Sequence, residues 1–344
     1  VAEHFLVTGG AGYVGSHMVD LLVEQGAAVT VVDNLHQGHR AALPHGVDLV
    51  TADVSDFDAM NHLLAGRDWH AILHFAALSL VGESMQRPLH YLRENASGAF
   101  TLIDAAIRNR VPRFILSSTA NLFGEPDEIP ITEDAPLRPS SPYGESKQMI
   151  ERALFWASER YGLRSACLRY FNAAGADPKG RIGEDHDPET HLIPLLIDAA
   201  LGRTGPVTLF GTDYPTPDGT CIRDYVHVTD LCAGHLSALT RLDHASVTYN
   251  LGNGCGSSVR DVIAAVQSVS GCLVPVTLGD RRAGDPAVLV ASSARIRAET
   301  GWSPRYAALE DMVRTAYAWR LAHPNGYGDR SAPTDATSGA GIAR

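Results

Sequence analysis

Tyr143 and Lys147 stand four residues apart in SPYGESK, residues 141–147. On a helix that spacing puts the two side chains one turn apart on a single face. A phenol beside an ammonium is a proton switch in the making, because a nearby positive charge favours the phenolate. A free phenol titrates near ~10, and bringing it to ~7 takes about 4 kcal/mol of preferential stabilisation of the phenolate. An ordinary surface helix also presents such pairs, so the meaning of this one depends on the rest of the chain.

TGGAGYVGSH, residues 8–17, sets Gly9, Gly12 and Gly15 at three-residue intervals between an apolar run and an apolar helical pattern. In that context glycine permits a tight turn, close approach of backbone N–H groups to a pyrophosphate and close helix packing, while the helix N-terminus favours negative charge. The reading is a dinucleotide site. VTVVDN places Asp33 eighteen residues after Gly15, at the end of the second apolar run, where a carboxylate accepts the two ribose hydroxyls of an adenosine and repels a 2′-phosphate. NAD is therefore expected over NADP. Asp53, in TADV, is expected at the adenine, with a helix N-cap as the other reading.

These groups need a scaffold that presents them together. Short apolar runs (FLV, AVTVVD, VDLVTADV, AILHFAA, RFILSS, SACLRYF) alternate with longer helical patterns as far as about residue 170. That rhythm predicts an α/β fold, a doubly wound parallel sheet covered by helices on both faces, with ligands at the carboxyl ends of its strands. Beyond it Gly, Pro and Asp crowd residues 173–222, as in loop-rich insertions that carry substrate contacts.

The bulk properties exclude several classes. With 344 residues, 45% of them hydrophobic and 19% charged, the chain has the make-up of a folded protein with a sizeable core. A net charge of -11 argues against general nucleic-acid binding, and no segment has the ~18 uninterrupted apolar residues of a membrane span. The first apolar run is too short for a signal peptide. The 5 cysteines are scattered and lack any C-x-x-C, so neither a disulfide framework nor a zinc site is expected, and a reducing cytoplasmic setting fits. The 15 histidines are dispersed along the chain, and no metal is expected.

GGAGYVG, HFAA (74–77), SST (117–119), YGESK, RYFNAAGAD, GEDHDPETHLIP, FGTDYPTPDGTCIRDYVHV, YNLGNG and RRAGDP together resemble the extended short-chain dehydrogenase/reductases, and among them the UDP-glucose 4-epimerases. The likeness runs from Phe5 to Trp319. It implies a Rossmann-type NAD-binding unit (1–171 plus about 222–252) and a smaller mixed α/β unit for the UDP-sugar (about 172–221 plus 253–325), while the last residues (326–344) lack periodicity and read as a disordered tail. It also implies a homodimer, with 99–107 and 146–160 as the contacting helices.

The resemblance assigns Tyr143 as base, Lys147 as its electrostatic partner and Thr119 as the hydroxyl that binds the reacting oxygen. For the cofactor it adds Tyr13, Val14, Asn34, Val54, Phe75, Ala76, Ala77, Asn95, Ser117 and Tyr170 to the residues above. For the substrate it implies Thr119, Asn172, His191, Leu192, Thr208, Phe210, Arg223, Arg282, Asp285 and Leu289. Arg223 and Arg282 would clamp the diphosphate, Asp285 would meet the ribose and Phe210 the uracil.

Departures from the family pattern are Phe123 where relatives commonly have tyrosine, His191 where some have asparagine, and Ser79 where some have lysine. Leu289 stands at a gate where a bulky aromatic in some relatives excludes N-acetylated sugars. A 4,6-dehydratase would need an acid pair at the positions held by Ala120 and Asn121. A UDP-pentose or UDP-N-acetylhexosamine 4-epimerase remains open, and so does an NAD-sensing binding protein on the same fold.

Overall fold

The computed structural model of the chain describes residues 3–282 and 285–328. Among them the first six apolar runs become β1 (His4–Thr8), β2 (Ala28–Asp33), β3 (Asp48–Thr51), β4 (Ala71–His74), β5 (Arg113–Thr119) and β6 (Arg164–Tyr170). The later strands are β7 (Asn172–Ala174), β8 (Val207–Phe210), β9 (Ile222–His227), β10 (Val247–Leu251), β11 (Gly256–Ser258), β12 (Val276–Gly279) and β13 (Val288–Leu289).

A seven-stranded parallel sheet has the order β10-β6-β5-β4-β1-β2-β3. Its residues are apolar on both sides because helices cover both faces. One face packs Val7, Val31 and Leu168 against Met18, Val19 and Leu22 of helix Tyr13–Glu24 and Leu231 of helix Val228–Leu239. The other packs Leu6, Ile72, Phe114 and Leu116 against Leu102 of helix Gly98–Arg108 and Ile150 and Leu154 of helix Pro142–Tyr161. Each such buried side chain contributes roughly 1.5–3 kcal/mol. Chain order reverses between β1 and β4, which opens a crevice at their carboxyl ends.

Helix Pro142–Tyr161 is fixed at both ends by its sequence. Ser141 Oγ accepts the Gly144 N–H (3.1 Å), Pro142 occupies the first turn, and Gly162 ends the helix in the left-handed region at φ 74°.

A smaller body surrounds β9, which pairs antiparallel with β11 and parallel with β7 and β13, while β8 and β12 form a separate parallel pair. Helices Leu192–Ala200, Val259–Ser270 and Leu309–Ala322 pack around it through Leu196, Val262, Val266 and Val313. Residues 222–227, expected in the larger unit, therefore belong here. The large sheet offers them no edge beside β6, because β10 pairs with that strand. Helix Val228–Leu239 follows at once and returns to the large sheet.

Residues 326–328, expected in the unpatterned tail, are part of the described structure. Tyr327 stacks near His39 (ring centroids 4.8 Å) and Trp319 (5.2 Å), and its hydroxyl donates to the Gly183 carbonyl (3.0 Å). The rest of that tail, 329–344, lies outside the described residues. Among the described residues no helix is long and apolar enough to cross a membrane. All five cysteines are free thiols.

Candidate active site

The glycine loop runs from the end of β1 into helix Tyr13–Glu24, and its glycines are demanded by space. A Cβ on Gly15 would lie 2.1 Å from the Gly9 carbonyl oxygen, and one on Gly9, at φ +69°, would lie 2.4 Å from the Ala76 nitrogen. Gly12 is the N-cap and has no side chain to accept the first-turn N–H groups, and no acid lies in that turn. The uncapped end of the helix therefore fits an anion such as a pyrophosphate. Tyr13 and Val14 form that first turn. The Tyr13 hydroxyl is turned away to donate to Gly175 O (2.6 Å), and Val14 packs into the core.

At the end of β2, Asp33 Oδ2 accepts the Ala11 N–H (3.0 Å) and Oδ1 the Leu35 N–H (2.8 Å), the latter holding Leu35 at φ 59°. Burial raises the Asp33 carboxyl above its ordinary value, against these two donors. Asp33 thus shapes the loop at the position expected to meet the ribose. Asp53 does not cap a helix; that role falls to Asp56, whose Oδ1 accepts the Ala59 N–H (3.0 Å). Asp53 instead accepts from Asn34 Nδ2 (3.1 Å) and the Ser55 N–H (2.8 Å), tying two expected cofactor residues together beside half-buried Val54.

Phe75 and Ala76 leave β4 with both N–H groups donated to Thr8 O (2.9 and 3.1 Å), which seats them and exposed Ala77 over Gly9. Asn95 lies in a π-helical turn, Leu92–Ser97, and is 1% exposed. Its amide clips the next loop, accepting from the Leu78 N–H (2.8 Å) and donating to Leu78 O (2.9 Å) and Ser146 Oγ (3.1 Å). Asn95 thus joins the cofactor loop to the Tyr143 helix.

Tyr143, Lys147, Thr119, Ser117 and Tyr170 converge at the carboxyl ends of β5 and β6. Lys147 is 1% exposed, and its Nζ donates to Ser117 O (2.9 Å); Ser117 Oγ meets the Tyr170 hydroxyl at 2.6 Å. Thr119 Oγ1 accepts from the backbone N–H and the side-chain amide of Asn121 (both 3.2 Å). With its acceptor capacity so occupied, the hydroxyl's proton is free to be donated toward Tyr143, whose phenol it lies against. Asn121 was read in the sequence only as a residue that is not an acid; here it orients Thr119.

The expected acidification of Tyr143 is not supplied by the chain alone. Burial raises the phenol above its ordinary value, and the Thr119 hydrogen bond pulls the other way. Lys147 is itself lowered to about 8 by burial, against the attraction of Glu151. Its Nζ is committed to a carbonyl at the floor of the site.

Behind it lies a pair that the sequence reading passed over. Glu151 binds Arg169 through both oxygens (3.0 and 2.7 Å) and accepts from Ser118 Oγ (2.6 Å), with both charged side chains more than nine-tenths buried. The signal was there: Glu151 is one turn beyond Lys147 on the same face. Arg169 also lies over the ring of Phe123 (5.3 Å). Phe123, 1% exposed, packs in an apolar wall with Ile131, Phe171 and Leu289.

The expected substrate residues line the smaller body, but four of them hold one another. Arg223 pairs with Asp285 and donates to Pro286 O (2.8 Å), and the Arg282 guanidinium lies 4.2 Å from the centre of the Phe210 ring. Ala283 and Gly284, between the two arginine-bearing pairs, lie outside the described residues. Thr208 is half-buried on β8, 3.3 Å from Thr277 Oγ1, and half-buried Asn172 pairs with Tyr225 on β9. Leu289 sits opposite Arg223 in the β13–β9 register. Ser79 is exposed.

His191 and Leu192 begin helix Leu192–Ala200, and His191 Nδ1 lies 2.8 Å from Glu184 Oε1. His186 and Glu189 complete a group whose ligand-type atoms all lie within 4.8 Å of one another. Burial opposes the His191 charge, but Glu184 and Glu189 outweigh it and raise the imidazole to about 10. The sequence spacing E-x-H-x-x-E-x-H in GEDHDPETH was the signal, lost among the dispersed histidines.

Comparison with known proteins matches residues 5–252 to the NAD dependent epimerase/dehydratase family. The chain is 48% identical over 324 residues to the UDP-glucose 4-epimerase of Halalkalibacterium halodurans, covering 94% of this chain and 97% of that one. It superposes on the UDP-glucose 4-epimerase from Brucella ovis in complex with NAD with a TM-score of 0.89 at 42% identity, over 92% of this chain and 98% of that one. The UDP-Glc/GlcNAc 4-epimerase of Campylobacter jejuni gives a TM-score of 0.82 at 39% identity, over 93% and 100%.

Proposed function

We infer the reaction from one premise: the chain belongs to the NAD-dependent epimerase/dehydratase family. It binds NAD and is a UDP-glucose 4-epimerase in activity, inverting C4 of the hexose to interconvert UDP-glucose and UDP-galactose. The observation that carries this is the near-complete span of identity to UDP-glucose 4-epimerases, with the Tyr143 cluster placed across the crevice from the glycine loop.

The first turn of helix Tyr13–Glu24 would hold the pyrophosphate, and Asp33 the adenosine ribose. Bound NAD supplies a hydride acceptor and donor for C4 and, when oxidised, a positive charge beside the phenol. Tyr143 Oη takes the proton of the 4-hydroxyl and later returns it. Thr119 donates to the reacting oxygen, its orientation set by Asn121. Lys147 keeps an ammonium at the floor of the site, supported by Glu151. Arg223, Arg282, Asp285 and Phe210 grip the UDP after giving up their mutual contacts. Asn172, Thr208, His191 and Leu192 complete the wall.

Purified protein that interconverts UDP-glucose and UDP-galactose with no added reductant or oxidant meets this reading. Protein that retains NAD and epimerises no UDP-sugar refutes it in favour of a sensing role. UDP-arabinose turned over faster than UDP-galactose would move the assignment to a pentose.

A second substrate is favoured by Leu289. It lies in the apolar wall with Phe123, and its side chain is smaller than an aromatic gate, so UDP-N-acetylglucosamine is accepted as well. Unmeasurable turnover of that sugar rules this out.

The working form is a homodimer in the cytoplasm. Helix Pro142–Tyr161 exposes Met149 (37%), Phe155 (46%) and Trp156 (49%), and the neighbouring helix Gly98–Arg108 exposes Phe100 (40%), an apolar face suited to a second copy. A monomer by light scattering refutes the pairing.

A further inference from the structure

We propose that Glu184, His186, Glu189 and His191 form a site for one divalent transition-metal ion of the zinc class, built into the segment between β7 and β8. All four lie within eight residues, and their donor atoms are mutually within 4.8 Å. Metal–nitrogen and metal–oxygen bonds of about 2.0–2.2 Å place tetrahedral donors about 3.4 Å apart, so small side-chain rotations close the shell.

The close approaches in the cluster are imidazole–carboxylate ion pairs whose angles fall outside good hydrogen-bond geometry. Nδ1 of His186 lies 3.3 Å from Glu184 Oε1, and Nδ1 of His191 lies 2.8 Å from it and 3.3 Å from Glu189 Oε1. Yet both Nδ1 atoms, and Glu189 Oε2, are buried without a hydrogen-bond partner. The Glu184 and Glu189 side chains are 8% and 10% exposed, so two carboxylates sit together out of water. Without metal the two carboxylates are balanced by the imidazoles and by Arg320 Nη1, 3.8 Å from Glu189 Oε2; one doubly charged cation would take the place of the two imidazole protons, released to solvent, and bind the Nδ1 lone pairs so freed.

The donor set selects the ion. Two imidazoles with two carboxylates suit zinc and its neighbours, whereas calcium and magnesium favour all-oxygen shells. Four protein donors leave no open position, which marks a structural site. The surroundings hold the ligands in place. Glu189 Oε1 accepts the N–H groups of Thr190 (2.8 Å) and His191 (2.9 Å), and Arg320 Nη1 donates to Glu184 O (3.2 Å). The ring of Tyr13, in the first turn of the phosphate helix, meets His186 edge-on at 6.4 Å. The ion would thus pin the entry of helix Leu192–Ala200 against the cofactor loop.

The test uses the full chain with its bound cofactor, stripped of metal by a chelator and dialysed. Zn2+ should bind at one equivalent per chain and raise the melting temperature. Co2+ in its place should give the intense visible absorption of a four-coordinate site. His186→Asn, and separately Glu189→Gln, should weaken Zn2+ binding about tenfold or more and abolish the Co2+ spectrum. If wild-type protein binds no stoichiometric Zn2+, shows no Co2+ band and melts at the same temperature with and without metal, the proposal fails and the cluster is a set of imidazolium–carboxylate pairs. The Co2+ spectrum of the wild type decides the matter even if a variant does not fold.

Discussion

Glu151→Gln separates two roles that one carboxylate plays. Removing its charge leaves the Arg169 guanidinium buried without a counter-charge. Breaking a buried pair costs about 3–5 kcal/mol, and the retained amide oxygen should hold the loss near 3. The same change withdraws the attraction that supports the Lys147 ammonium, whose folded value is already lowered to about 8. Because that value lies below the unfolded one of 10.5, the folded chain binds fewer protons between pH 8 and pH 10.5. Burying the ammonium therefore costs about 3 kcal/mol at neutral pH, recovered as pH rises through that window. Glu151→Gln should deepen this cost and move the alkaline limb of kcat/KM to lower pH. Urea unfolding gives the stability change, and a pH–rate profile gives the limb. In the double variant Glu151→Gln/Arg169→Met an apolar side chain packs on Phe123; stability should return to within about 1 kcal/mol of wild type while the shifted limb persists. Wild-type stability and an unmoved limb in the single variant would refute the reasoning.

Other substitutions probe the rest of the site. Tyr143→Phe should abolish turnover with fold and bound NAD intact, checked by absorbance and circular dichroism; near-normal rates would remove Tyr143 as the base. Gly15→Ala forces a Cβ to 2.1 Å from the Gly9 carbonyl oxygen, so the loop must shift and NAD retention, measured after gel filtration, should be lost. Asp224, 0% exposed and accepting three backbone N–H groups, is raised by burial to about 6 from 3.8. A raised carboxylate favours the fold below pH 3.8 and loses that contribution as pH passes 6. Wild type should therefore lose about 2 kcal/mol relative to Asp224→Asn between pH 4 and pH 7, read from urea midpoints.

The first half of the chain was legible because its signals are local. Continuous apolar runs mark strands covered on both faces, and a glycine whose Cβ would strike a carbonyl is required whatever lies elsewhere. The Tyr143/Lys147 spacing was visible for the same reason, though its meaning, like the choice of Thr119, came through the family resemblance. Longer-range competition hid the rest. β9 looks like any parallel strand, and only the pairing of β10 with β6 sends it to the smaller sheet. Arg223 was read as a phosphate ligand, yet nothing near it in sequence announces Asp285, sixty-two residues on. The direction of the Lys147 shift depends on its being almost wholly buried, which spacing does not reveal.

The chain passes between the two bodies without slack: β6 gives way to β7 across one residue, His227 ends β9 and Val228 begins the next helix, and β10 reaches β11 in four residues. The larger sheet also takes its last strand, β10, from beyond the smaller body's β9. A clean cut in the gene at any one of these points would leave a sheet short of a strand. The substrate half cannot be exchanged as a cassette between relatives, as an appended module can. On the proposed reading of Leu289, a change of sugar preference would come through point substitutions along the shared wall.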